Sequence, residues 1–214
     1  TMTDHLQRFH FQRHPVRGAL VQLDDTLAEL TRRREYPERV AAMLGEMLAA
    51  VAMIADGLKW PGSVALQSKG NGVIRTTVAE HRPDGLLRAI ARGADDQPPL
   101  AEFGADQLAQ LSAHTLIGGD QLALSLIPPE DDRRNQPYQG LVGWQHETLA
   151  ANLVEYFRVS EQLETRFELY ANGSKARGLL LQRLPNASTA SFVTEAEADD
   201  FWTELGLRLQ TLGP

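Results

Sequence analysis

At 214 residues, with 43% hydrophobic and 23% charged side chains, the chain fits one soluble domain, with or without an appendage, and can bury a real core. A formal net charge of −7 argues against a general nucleic-acid binder and leads us to expect a cytoplasmic protein. The complete lack of cysteine rules out a disulfide, a thiol nucleophile or a thiolate metal site within this chain.

No signal peptide or lipidation motif is visible, so no membrane partner is expected. Thr1 ahead of Met2 reads as a cloning remnant, with the natural start expected at Met2. The sequons at Asn172 and Asn186 read as chance matches.

Arg8 to Arg13 alternates apolar and polar residues and predicts a half-buried strand with Phe9 and Phe11 inward. His5, His10 and His14 lack ligand spacing, so no metal is expected there. Val16 to Leu23 predicts a second strand, followed by a short helix over Asp25–Arg34 with Asp24 as its N-cap. Arg32 to Arg34 then complements the helix dipole at a solvated helix end.

From Val40 to Ala55 the only polar side chain is Glu46, and Val40, Leu44, Met47, Leu48, Val51 and Ile54 recur at helical spacing. Pro37 suits the first turn, and Ala, Leu, Met and Glu are strong helix formers. A helix apolar on most sides must be covered on most sides, so the rest of the chain should pack around Val40–Leu58. The apolar run is shorter than the roughly 20 residues a membrane span needs. Its methionines read as core rather than as a sticky surface.

Ser63–Ser68 and Val73–Glu80 read as strands joined by an Asn-Gly hairpin in Lys69–Gly72. Arg82–Gly85 is a further turn signature, leading into a third strand over Leu86–Arg92. The segment from Ser63 to Arg92 is therefore an expected antiparallel meander. Ala105–Leu111 reads as a short helix with Leu108 and Leu111 inward. Gln121–Ile127 and Tyr138–Trp144 form an expected hairpin across a charged loop. A helix over 147–158 carries Leu149, Leu153, Tyr156 and Phe157 on one side. Arg166–Ala171 and Gly178–Leu184 are the last strand pair.

From Pro185 the composition turns polar, and Thr194 with Glu197 has the capping-box pattern. The helix it opens places Ala198, Trp202, Leu205, Leu209 and Leu212 on one stripe, which must dock on this domain or on a partner. No Gly-x-Ser-x-Gly, His-Glu-x-x-His, dinucleotide fingerprint or calcium loop occurs. The acidic pairs lie at helix starts or in loops, and His81, His114 and His146 are isolated. The chain does not read as an enzyme.

Several short runs recur in order along almost the whole chain: Val16-Arg17-Gly18, Tyr36-Pro37 with Leu44 to Ala50, Leu58-Lys59-Trp60 with Gly62, and Gln67 with Gly70-Asn71-Gly72. They continue with Tyr138 to Gly143, Thr148 to Ala151, Tyr156-Phe157, Ser160 to Leu163 and Gly178 to Gln182. In these the sequence resembles the redox-regulated holdase chaperone family, the thirty-three-kilodalton heat-shock protein. Val73 and Glu164 stand where that family usually has proline, which bears on turn stiffness more than on function.

The resemblance implies an ATP-independent chaperone that binds unfolding client proteins under oxidative and heat stress, and it implies a homodimer. In the family a C-terminal module binds zinc through four cysteines, and its oxidation loosens a linker and exposes apolar surface. With no cysteine here, no cofactor is expected in this chain, which reads as the N-terminal core domain (1–184) plus linker segment (185–214). The expected architecture is α+β, with antiparallel sheets packed around the central apolar helix and a C-terminal linker helix. Phe192, Phe201, Trp202, Leu205, Leu209 and Leu212 are the candidate client-binding or dimer-contact residues. The alternative to a holdase is a dimerisation domain with no chaperone activity of its own.

Overall fold

A computed structural model of the chain describes residues 4–95, 99–132, 136–185 and 193–211. The expectations placed on Thr1, Met2, Phe192, Leu212 and the polar run 186–191 lie outside the described residues.

The architecture is α+β. β1 (His5–His10), β2 (Val16–Gln22), β8 (Thr165–Ala171) and β9 (Ala176–Arg183) form a small sheet in the order β1-β2-β9-β8. β3 (Ser63–Lys69), β4 (Thr76–His81), β5 (Leu87–Arg92), β6 (Gln121–Ile127) and β7 (Tyr138–Gly143) form a larger one in the order β5-β4-β3-β6-β7. Every neighbouring pair is antiparallel. The helices are α1 (Asp24–Arg33), α2 (Glu38–Asp56), α3 (Ala105–Ala109), α4 (Ala113–Ile117), α5 (Leu149–Ser160) and α6 (Glu195–Gln210).

The apolar central helix is α2. It packs against β2, β8 and β9 of the small sheet and β3, β4 and β5 of the large one. Val40, Leu44, Leu48, Val51 and Met53 are fully enclosed, each contributing about 1.5–3 kcal/mol by leaving water. The three methionines of α2 are buried in this core, as the sequence suggested.

Three local expectations need correction. First, β1 starts earlier than the alternating run Arg8–Arg13, because its pairing with β2 brings His10 opposite Arg17 and leaves 11–15 for the connection. In this register Leu6 and Arg8 share the side of Val21 and Ala19, which faces α2. Phe9 lies on the opposite face, above Gly18, and packs with Phe11 in a separate apolar cluster.

Second, Asp24 does not cap α1. Its carboxylate accepts from Arg177 Nη2 on β9 at 2.8 Å, while Asp4 accepts from the backbone N–H groups of Asp25 (2.8 Å) and Thr26 (2.9 Å). The helix end is capped from the start of the chain, not from its own flank.

Third, β3 and β4 do pair, but Lys69–Gly72 is not a tight Asn-Gly turn with positive φ. The loop instead lies against the end of α4, where the N–H of Gly72 donates to Ile117 O (2.9 Å) and that of Ile74 to Leu116 O (2.8 Å). A Cβ on Gly70 would stand 1.9 Å from Ile117 O, so its glycine serves close backbone approach. The second half of this contact, α4, was not anticipated; five residues capped by Ser112 are too short to show a helical period.

Candidate functional site

The stripe expected to bind clients or a second subunit belongs to α6, and its placement follows from both ends of the chain. Thr194 and Glu197 form the expected capping box. Thr194 Oγ1 accepts from the N–H of Glu197 (3.3 Å), and Glu197 Oε2 accepts from that of Thr194 (2.7 Å). The helix then lies on the outer face of the small sheet, the face turned away from α2. Ala198, Trp202 and Gly206 are buried, and Phe201, Leu205 and Leu209 are half-buried against Phe9, Phe11, Val16, Leu179 and Leu181. Leu207, on the far side, is 60% exposed.

Polar groups fasten the helix at three points. The Arg166 guanidinium of β8 sits 4.6 Å from the Trp202 ring centre, and its Nη2 donates to Trp202 O at 3.0 Å. Gly206 makes room for that guanidinium, since a Cβ there would come within 2.5 Å of it. Arg183 of β9 bridges Asp199 on α6 (2.6 Å) and Glu164 (3.0 Å). Phe201 stacks on His14, with ring centres 3.8 Å apart, and meets Phe11 edge-on at 5.0 Å.

Two of these fasteners are incompletely satisfied. Arg166 Nε and His14 Nδ1 are buried without a hydrogen-bond partner among the described residues. Burial also pulls the Arg166 guanidinium below its usual pKa. An unsatisfied buried nitrogen costs about 1–3 kcal/mol, so docking is held mainly by apolar contact and is weaker than the area alone suggests.

Of the expected site residues, Phe201, Trp202, Leu205 and Leu209 are therefore brought together on one surface, facing this chain's own sheet. Phe192 and Leu212 lie outside the described residues. Sequence reasoning missed the sheet side: Arg166, Arg183 and His14, and it placed Phe9 and Phe11 on the wrong face. The one signal for them was a glycine, Gly206, inside an otherwise regular helix. As for metal, the chain offers no thiolate, and among the described residues no group of three His, Asp or Glu is placed to hold an ion. A four-cysteine zinc site does not fit these residues. No helix among the described residues is long and apolar enough to cross a membrane.

The model of the Hsp33 protein family matches residues 4–211. The chain belongs to the Hsp33 family. It is 33% identical over 211 residues to the 33 kDa chaperonin of Shewanella denitrificans and 37% identical over 212 residues to that of Pseudomonas putida. Each alignment covers 99% of this chain and 66% of the relative, so the chain spans just under two thirds of the proteins it matches. The fold is similar to that of the 33 kDa chaperonin of Thermotoga maritima, with a TM-score of 0.67 at 22% identity, covering 83% of this chain and 60% of that one.

Proposed function

We propose that this member of the Hsp33 family is a holdase: it binds unfolding client proteins without ATP or catalysis and keeps them from aggregating during heat or oxidative stress in the cytoplasm. The observation that carries the reading is the apolar surface between α6 and the small sheet. It is built from Phe9, Phe11, Val16 and Leu181 below and Trp202, Leu205 and Leu209 above, and α6 lies beyond the last strand of the core. Lifting one helix exposes two apolar faces and leaves the α2 core in place. Residues 1–184 then act as the platform and 185–214 as a detachable cover.

A homodimer belongs to the same proposal, but the described part of the stripe gives it no support, because the chain's own sheet covers Trp202, Leu205 and Leu209. The relatives' names support a chaperone role, and they are the names of proteins longer than this chain.

Light scattering of a heated client tests the reading. The intact chain should suppress aggregation equally in peroxide and in thiol reductant, and a zinc chelator should change nothing, since there is no thiol to oxidise or strip. The Trp202→Glu, Leu205→Glu variant should suppress better, because charges on the buried face drive α6 off the sheet. Weaker suppression would move the client surface onto α6 itself. No suppression by either version in either redox state overturns the holdase reading for this chain and favours a dimerisation domain, which sedimentation of the same samples would reveal.

A further inference from the structure

The inner face of the small sheet ends in a polar row. The strand registers set His10 opposite Arg17, Arg17 opposite Gln182 and Gln182 opposite Thr165, so all four side chains share the face turned toward α2. Because α2 stops at Asp56, this end of the sheet is left uncovered and a cleft of about 370 Å³ opens beside Gly57 and Leu58. An apolar arm of about 160 Å³ continues from it between Met53, Leu124, Leu126, Phe157 and Leu163. The two share Arg17, Met53, Gly57, Leu58, Leu180 and Gln182.

The charge in this cleft is unusual for a chain of net charge −7. Arg8, Arg17 and Lys59 line the mouth, with His10 beside them and Asp56 as the one carboxylate among the described residues. Asp56 is already paired with Arg8 at 2.6 Å. Arg17 is held differently from Arg8, Arg177 and Arg183, each of which meets a carboxylate. Its Nε (3.1 Å) and Nη2 (2.8 Å) both donate to Oε1 of Gln182, a neutral and buried amide. The guanidinium is thus oriented by a neutral group, and no carboxylate among the described residues is paired with it. The C-terminal end of α2 lies near it and offsets only a fraction of a charge. In the apolar arm the one carboxylate, Glu161, accepts from the hydroxyls of Tyr156 (2.9 Å) and Tyr138 (3.2 Å).

We propose that this cleft binds a small monocarboxylic acid carrying an aromatic or short alkyl group, with the carboxylate on Arg17 and Lys59 and the apolar group in the arm beside Met53 and Phe157. A planar guanidinium with free N–H groups is suited to a carboxylate. An apolar cavity of about 150 Å³ accepts a benzene-sized group.

The test is calorimetric titration of the chain with 3-phenylpropionate and with 3-phenylpropanol, its uncharged counterpart, accompanied by amide chemical-shift mapping. The acid should bind at least about ten-fold more tightly than the alcohol, with shifts centred on Gly57, Leu58 and Leu180. Arg17→Met should bring the acid down to the alcohol's level. Lys59→Met, at an exposed loop position, should weaken the acid about two- to three-fold and reduce its salt dependence, and it serves if the first variant folds poorly. Equal binding of acid and alcohol, unaltered affinity in both variants, or shifts centred on α6 would each overturn the proposal.

Discussion

The guanidinium of Arg166 covers the indole of Trp202 and also donates to that residue's own carbonyl oxygen, so one strand side chain holds both the ring and the backbone of α6. α2, by contrast, is enclosed by apolar contacts from many directions.

That contrast sets the first expectation. Trp202→Ala should remove about 3–5 kcal/mol of packing and Arg166→Ala about 1 kcal/mol. Amide hydrogen exchange should then accelerate across 195–210 in both variants, more in the first, while α2 keeps its protection. Uniform acceleration through α2 would mean that α6 and the core unfold as one unit.

Glycine positions give a second. Gly70→Ala drives a Cβ into the carbonyl of Ile117, which is backbone and cannot swing away. It should cost about 3 kcal/mol, the upper part of the overpacking range. Gly85, at φ +82° with open space around it, should lose only about 1 kcal/mol to backbone strain on the same change. Urea denaturation of the two variants measures the difference.

Burial raises the Glu46 carboxyl to about 7, with Arg39 opposing the shift only in part. Since its unfolded value is about 4.3, the native state binds the extra proton between those limits. Stability should therefore decline as pH rises from about 4.3 to about 7, by up to roughly 4 kcal/mol, and level off above. Glu168 is shifted the same way by burial, so the informative quantity is the difference between the chain and Glu46→Gln. The variant should be the more stable of the two at pH 8, and the gap should close by pH 4. Thermal melts across that range decide it.

The division of labour between two aspartates can be separated as well. Asp4→Ala should cost about 1 kcal/mol as a lost helix cap. Asp24 is held below its ordinary pKa chiefly by its hydrogen bond to Arg177, so its contribution is present above about pH 4 and fades as pH falls through its lowered value. Asp24→Asn should accordingly weaken the fold at neutral pH and match the parent chain in strong acid.

How much of this was legible in the sequence depends on the range of the interaction. α2 announced itself because nearly every side chain over four turns is apolar, and the Thr194 box because both partners sit three residues apart. The pairing of Gln121–Ile127 with the strand that begins at Tyr138 was read from the two strand patterns alone. The errors fall where the partner is distant. Asp24 looked like a cap until Asp4 arrived from 21 residues upstream of Asp25, whose N–H it accepts, and Gly70–Gly72 looked like a self-contained turn until Ile117 came to rest on it. Phe9 and Phe11 were correctly judged buried-type residues. Their side was misread because the sheet has a helix on each face, which alternation cannot reveal. The candidate stripe was found, but the arginines that hold it carry no local pattern.

The small sheet also dictates an order of events at the ribosome. Its first two strands emerge early, yet their partner β9 is made some 160 residues later, with Val16 opposite Arg183. Until then α2, with fourteen residues destined for burial, has only part of its enclosure available. Part of the apolar surface of α2 therefore stays open on the nascent chain until β8 and β9 are made, long after the large-sheet strands that cover its other side.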